Sequence, residues 1–253
     1  MTMLLPSINK PLKGVIWRLE IDSLSDTIYL ETRTTDKQVA FTSVSLNTGE
    51  TNFENYTTPE RWLTGIEAAY DGLLLLYGYQ SENSPVHKGI TAIDANAETV
   101  WSNYTYAFDH LTVNGPVVFN TQMQPKKLFL MDVKTGATLR PYNPSIDVEV
   151  NSQVQFPEVT LPSDLNLKAG TEVYGNIIQS LHYNNFRIVS LHTLSEGQLQ
   201  QRLFITDATA PVYEDLLNTD IQKMQPESFI LYKNSVIYIK DKAILKVIPL
   251  INY

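Results

Sequence analysis

Cysteine is absent from the chain. Its absence excludes a disulfide framework, a thiol nucleophile and a Cys-ligated zinc site together, and leaves the protein indifferent to redox compartment. Charge is scarce as well: 18% of residues are charged against 43% hydrophobic, enough apolar material for a large core and too much for a disordered chain. Basic residues are the scarcer sign. A formal net charge of −8 and a pI near 5.0 argue against a surface made to neutralise phosphates, so nucleic acid is not expected as a partner. Lys223, Lys233, Lys240, Lys242 and Lys246 alternate with apolar residues, as on the wet face of a strand. The longest apolar run, Leu73 to Tyr77, is far too short to span a bilayer, and no membrane span is expected. The opening MTMLLPSINKPLKG has no long apolar core and reads as neither signal peptide nor anchor. The chain is therefore read as cytoplasmic, or as exported if a leader has been removed.

Helical periodicity is nearly missing too. Only Val212 to Leu217 suggests it, and that stretch reads better as a strand edge or a single turn. What is present is strand signal from end to end: runs of Val, Ile, Thr, Tyr and Phe with period-two alternation, cut by Asn, Asp, Gly and Pro. Thr27 to Thr35, Val39 to Leu46, Leu73 to Tyr79, Gly89 to Ile93, Val117 to Thr121 and Lys127 to Met131 read as strands. So do Phe186 to Leu194, Arg202 to Ile205, Phe229 to Tyr232, Val236 to Ile239 and Ala243 to Ile248.

The strands recur as a unit. Ser45-Leu46-Asn47-Thr48-Gly49, Asp94-Ala95-Asn96-Ala97-Glu98, Asp132-Val133-Lys134-Thr135-Gly136 and Asp207-Ala208-Thr209 each follow an apolar strand, with a fainter copy at Leu165 to Gly170. The Asp caps a tight turn with its side-chain oxygen and the Gly takes a positive φ, so that two strands pair as a hairpin; Ser45 replaces the Asp in the first copy and Glu98 the Gly in the second. These copies, best seen in Thr91 to Trp101 and Leu130 to Leu139, resemble the blade signature of quinoprotein-type (PQQ-like) β-propellers. The length and repeat also resemble an uncharacterised family of bacterial propeller-like domains, which implies a fold and no activity. Anchors at 45, 94, 132, 166 and 207 lie 49, 38, 34 and 41 residues apart, near the ~40 to 45 residues of one blade.

The expectation is one all-β domain over residues 1–253, a β-propeller of about six four-stranded blades. Five is the alternative count; it would leave Pro144 to Gly170 as a long structureless insertion, which compact domains seldom tolerate. The ring is expected to close by pairing an N-terminal strand with C-terminal strands. Val15, Trp17, Leu19 and Ile21 alternate with Ile16, Arg18, Glu20 and Asp22, and this strand is the expected fourth member of a terminal blade that otherwise has three.

No G-x-S-x-G, G-x-x-x-x-G-K-[ST] or G-x-G-x-x-G motif occurs, and His87, His110, His182 and His192 show no metal-ligand spacing. No cofactor or metal is expected. Quinoprotein dehydrogenases need more blades and, typically, a disulfide against the cofactor, so the resemblance is to a repeat rather than to an enzyme. If the first strand of each blade lines a channel, its polar residues include Asp26, Glu67, Asp109, His110, Asp147, His182 and Glu227. A carboxylate-rich channel attracts a cation, water or a basic ligand group. The candidate ligand-binding residues are Asp109, His110, His182, Glu67 and Trp62. Aromatic residues such as Trp62, Trp101, Tyr106 and Phe108 are expected mostly as filler between sheets. The reading is a non-catalytic propeller that binds an unknown protein or small ligand. The enzymatic alternative is a hydrolase or lyase on a sugar-like or ester substrate, with channel carboxylates and a histidine as acid and base.

Overall fold

Period-two alternation with turn residues every few positions produces antiparallel meanders, and every named element of the described residues is a strand. The structure, a computed structural model, describes residues 3–81, 83–162, 173–207, 210–219, 221–225 and 228–251. The fainter repeat copy at 165–170, residues 208–209 of the last copy and Glu227 lie outside them. The chain opens with β1 (Ile8–Pro11). Three meanders follow: β2 (Val15–Asp22), β3 (Thr27–Arg33), β4 (Val39–Ser45) and β5 (Thr51–Tyr56); β6 (Thr64–Tyr70), β7 (Leu73–Ser81), β8 (Ser84–Ile93) and β9 (Thr99–Asn103); β10 (Tyr106–Thr112), β11 (Gly115–Asn120), β12 (Leu128–Met131) and β13 (Thr138–Pro141). Each is one four-stranded antiparallel sheet, as expected of propeller blades. All three belong to one compact unit, Lys13–Ser152.

Sheets pack face to face within this unit, and the most enclosed strand is the second in the first and third sheets and the first, β6, in the second. β3 reads Thr-Ile-Tyr-Leu-Glu-Thr-Arg and is buried on both faces up to Thr32. Tyr29, Phe41 and Phe53 of the first sheet meet Ile66, Leu74, Leu76 and Ile93 of the second. Leu75, Ile90 and Ala92 on the other face meet Val118 and Met131 of the third. Trp101, Tyr106 and Phe108 pack against this second cluster and Trp62 against the first, whereas Tyr104 stands exposed.

The repeated turns join the third and fourth strands of each meander, and their chemistry is as the sequence implies. Asp94 Oδ1 accepts the N–H groups of Asn96 and Glu98 at 2.8 and 2.9 Å. Asp132 Oδ1 accepts those of Lys134 and Thr135 at 2.8 and 3.0 Å. Ser45 Oγ accepts from Thr48, and Asp207 Oδ1 from Ala210. Gly49 and Gly136 carry φ of 75° and 69°, and in the second copy, a residue shorter, Ala97 takes 63°. Gly136 is also a packing requirement: a Cβ there would lie 2.5 Å from the indole of Trp101, whose Nε1 donates to Val133 O at 2.8 Å. The second sheet's last strand is thus seated on the third sheet's turn.

The other unit, Met1–Leu12 with Gln153–Tyr253, holds two five-stranded sheets. One runs in the order β15 (Glu158–Thr160), β16 (Val173–Tyr183), β17 (Phe186–Ser195), β18 (Gln198–Thr206), β19 (Pro211–Asn218). Val212 to Leu217 is accordingly strand. The other runs β1, β22 (Ile244–Pro249), β21 (Ser235–Lys240), β20 (Ile230–Tyr232), β14 (Val154–Gln155). Five sheets are therefore formed by the described residues. The proline-rich stretch after Pro144 supplies the two short edge strands β14 and β15, rather than a structureless insertion. Ile188, Leu203 and Ile205 pack on Leu231, Val236, Tyr238 and Ile248, with Leu4 in the same core.

The terminal pairing exists, but through a different segment from the one the alternation suggests. β1 pairs with β22 from Ile8↔Val247 to Pro11↔Ile244, while residues 15–22 pair with β3, Leu19 against Leu30. The alternating strand is needed inside its own meander, and Ile-Asn-Lys-Pro suffices at an edge, where a proline and a lysine are tolerated. Lys240 and Lys246 depart from the wet-face reading as well. Both pair with the half-buried carboxylate of Asp215, at 2.6 and 3.0 Å. Burial alone would raise the Asp215 carboxyl, but hydrogen bonds from Lys240, Tyr238 and Lys246 hold it below the usual range.

Candidate functional site

The first strands of the three four-stranded sheets share an irregularity. In β2 the register passes from Ile16↔Thr32 to Arg18↔Glu31 and skips Trp17. In β6 it passes from Ile66↔Leu76 to Ala68↔Leu75 and skips Glu67. In β10 it passes from Phe108↔Val118 to His110↔Val117 and skips Asp109. Each is a one-residue β-bulge, a device that releases a residue from the ladder and re-aims its side chain. Two of the sequence-derived candidates, Glu67 and Asp109, are bulge residues, and His110 is the next residue after one.

Around the first two bulges the side chains form one connected set. Arg18 grips Glu20 Oε1 through Nε and Nη2 at 3.0 and 2.7 Å, and Nη2 also donates to the main-chain oxygen of Glu67 at 3.0 Å. Glu67 Oε2 meets His87 Nδ1 at 2.9 Å. The His87 ring lies flat on Tyr77, centroids 3.6 Å apart and planes 6° apart, and Tyr77 and Tyr79 hydroxyls are 3.1 Å apart. Beneath them Glu31, 1% exposed, accepts the Ile66 N–H at 2.9 Å and pairs with Arg33 at 2.7 Å. Arg33 in turn stands 5.1 Å over the ring of Trp17, itself 66% exposed. Gly65 permits this closeness: a Cβ would fall 2.5 Å from the Tyr77 hydroxyl and 2.9 Å from Glu31 Oε2.

The electrostatics follow from the geometry. Burial pushes the Glu67 carboxyl up, and the neighbouring His87 and Arg18 offset this only in part. Burial acts on Arg18 in the opposite sense, but Glu20, Glu67 and Glu31 outweigh it and leave the guanidinium more firmly charged. At the third bulge Asp109 Oδ2 meets His110 Nδ1 at 2.7 Å and Oδ1 meets Lys126 Nζ at 2.5 Å. Burial would raise Asp109, and these two partners lower it overall. The His110 ring stands edge-on to Tyr142 at 5.1 Å. The bulges therefore present two carboxylate–imidazole pairs and one aromatic–guanidinium pair.

The remaining candidates fall elsewhere. Trp62 lies in the turn before β6, with Lys37 Nζ 5.4 Å over its ring, and packs on the first core. His182 belongs to the second unit, near the end of β16, where it pairs with Arg187 and is exposed. Asp26 sits in the β2–β3 turn at φ 51° and accepts from Asn47. Asp147 is buried in the loop after β13, where Arg140 binds both its oxygens at 2.7 and 2.6 Å and Asn143 and Asn114 add hydrogen bonds. Its carboxyl is held far below the usual range, first by Arg140, which marks a loop clamp. Sequence reading missed Trp17, Arg18 and His87 as members of the set. Among the described residues no group of three or more His, Asp or Glu side chains could hold a metal ion, and no helix is long and apolar enough to cross a membrane.

Among curated proteins none matches this sequence. Among solved structures, Raptor from Chaetomium thermophilum aligns with all of this chain and 29% of its own at 9% identity and a TM-score of 0.40; the chain thus spans less than a third of that protein. An uncharacterised protein from Listeria monocytogenes aligns over 94% of this chain and 97% of its own, at 11% identity and a TM-score of 0.34. TolB from Acinetobacter baumannii aligns over 93% and 54% at 12% identity, with a TM-score of 0.29. By sequence, residues 21–101, from the end of β2 into β9, match a family described as a domain of unknown function (DUF4905), a stretch that holds Glu31, Glu67, Tyr77 and His87 and stops short of Asp109.

Proposed function

We propose that the chain is a non-catalytic binding module of β-propeller type, whose recognition surface is built on the bulged first strands β2, β6 and β10. One observation carries this reading: a single extra residue at the same place in three successive sheets frees Trp17, Glu67 and Asp109 from the ladder. Bulges of this kind concentrate where side chains are re-aimed for use. The surface they make suits a protein partner. Tryptophan, tyrosine and arginine dominate the energetics of protein interfaces, and the charges here are already paired with each other, so little net field remains to capture an ion. On this reading the five sheets are blades of a five-bladed ring that β1 closes on β22. The capped turns and the Trp101 seat support a PQQ-like repeat, with Ser45 and Ala97 as local departures.

The test compares partners of the wild type, Trp17→Ser and Tyr104→Ser from lysate of the source organism. A partner kept by wild type and Tyr104→Ser, lost by Trp17→Ser, and protecting β2 and β6 amides from exchange supports the proposal. Equal capture by all three, or protection elsewhere, overturns it. Small-angle scattering that fits an open rather than a ring-like particle overturns the propeller. The two carboxylate–imidazole pairs are the observation behind the hydrolase or lyase reading. That reading requires turnover of an ester or glycoside that His87→Gln or His110→Gln abolishes.

A further inference from the structure

The second unit contains a cavity of about 300 Å³ between β15, β16, β17 and the segment before β20. Its walls are Val159, Ile177, Ile178 and Met224; its polar end is Gln179, Ser190, His192 and Gln225. Not one lining residue is charged. Ser190 and His192 are 2% and 5% exposed and sit two residues apart on β17, hence on one face of the sheet.

Two donors at that end are unused. Ser190 Oγ is buried and has no hydrogen-bond partner among the described residues. An orphaned buried hydroxyl is costly, so native proteins rarely keep one idle. The Gln225 N–H donates to His192 Nε2 at 3.0 Å. A main-chain N–H can only donate, so Nε2 carries no proton and the neutral ring holds its proton on Nδ1. Burial lowers the His192 pKa, which agrees with a neutral ring. Gln179 is already occupied, accepting from Ser228 Oγ.

We propose that this cavity binds a small, uncharged, mostly apolar molecule bearing one carbonyl-type acceptor, held by the Ser190 hydroxyl and the His192 Nδ1–H. The apolar walls supply area and the two donors supply orientation, the usual division of labour in small-molecule sites. A charged ligand is excluded, because no lining group would compensate its desolvation. Ordered water alone is poorly served, because the walls offer it few partners.

Acetophenone and α-methylstyrene, which differ only by C=O against C=CH₂, are the probes. Titration of the intact chain, followed by amide and methyl NMR, should show acetophenone shifting Ile178, Ser190 and Gln225 and binding at least tenfold tighter than the hydrocarbon. Ser190→Ala should lose most of that difference while melting at or above the wild-type midpoint, since it removes an orphan. Ile177→Trp, at the cavity's rim, should abolish both. No shift at these residues at millimolar probe, equal affinity for the two probes, or an unchanged preference in Ser190→Ala overturns the proposal.

Discussion

Removing residues 1–12 deletes β1, whose one neighbour in its sheet among the described residues is β22. The segment contributes four register pairs with β22 and three further main-chain hydrogen bonds, from Leu4 to Val212, Ser7 to Val247 and Leu12 to Ala243. It also buries Leu4 and Ile8 to 7% and 4% exposure. At about 1.5 to 3 kcal/mol for each buried side chain, the pair contributes about 3 to 6 kcal/mol, a large share of the about 5 to 15 kcal/mol that holds a typical domain folded. The truncated chain should melt roughly 6 to 24 °C lower and aggregate more readily, because the β22 edge loses its cover. A peptide of residues 1–12 added in trans should restore the midpoint. Calorimetry and urea titration read the effect. A truncated chain with the wild-type midpoint, unaffected by the peptide, would refute the reasoning and place the stability of this sheet in β20 to β22 alone.

Other outcomes follow from the same geometry. Trp101→Ala should cost about 3 to 5 kcal/mol in urea titration, an aromatic truncation on the seat formed by Gly136 and Val133; a change under 1 kcal/mol would show that the second and third sheets do not depend on it. Gly136→Ala should destabilise by forcing the indole away, whereas Ala97→Gly, at φ 63°, should be neutral or stabilising by up to about 1 kcal/mol. Asp147 and Asp215 are both depressed in the folded state. Their stabilisation is complete above the unfolded carboxylate pKa of about 3.9 and is lost as pH falls through the lower folded values. Arg140→Gln should therefore weaken the loop clamp near neutral pH and flatten the acid-unfolding profile; an unchanged profile would remove Asp147 from the account. Glu67 is raised instead, so its contribution is fullest below about 4.3 and declines as pH rises through the folded value. Glu67→Gln should accordingly lose less stability than wild type between acid and neutral pH, measured by thermal melting.

Strand identity was legible because the pattern is local. Thr27 to Arg33 and Leu73 to Tyr79 announce themselves by β-branched and aromatic content, and Asp94 and Asp132 announce turns because an Asx side chain two residues before an N–H can do little else. The bulges left no such mark, since one extra residue in a strand alters pairing without altering composition. Glu67 and Asp109 were reached as polar residues in first strands, but their partners were not: His87 meets Glu67 only through the β6–β7–β8 register, which depends on where Glu67 drops out of the ladder. β1 was missed for a further reason. Ile-Asn-Lys-Pro offers one buried side chain, too little for periodicity to register.

The union of β1 with β22 also sets an order of events. Ser7 bonds Val247 across a sequence separation of 240 residues, and synthesis at ~5 to 20 residues per second spreads those partners over roughly 12 to 48 s. The three meanders between them are local hairpins that close within microseconds of leaving the ribosome, on the order of 1 to 10 μs each. β1 thus waits for its partner until after the meanders that follow it have formed. Throughout that interval Leu4 and Ile8 travel without their sheet, and β1 stays open to pairing with another strand.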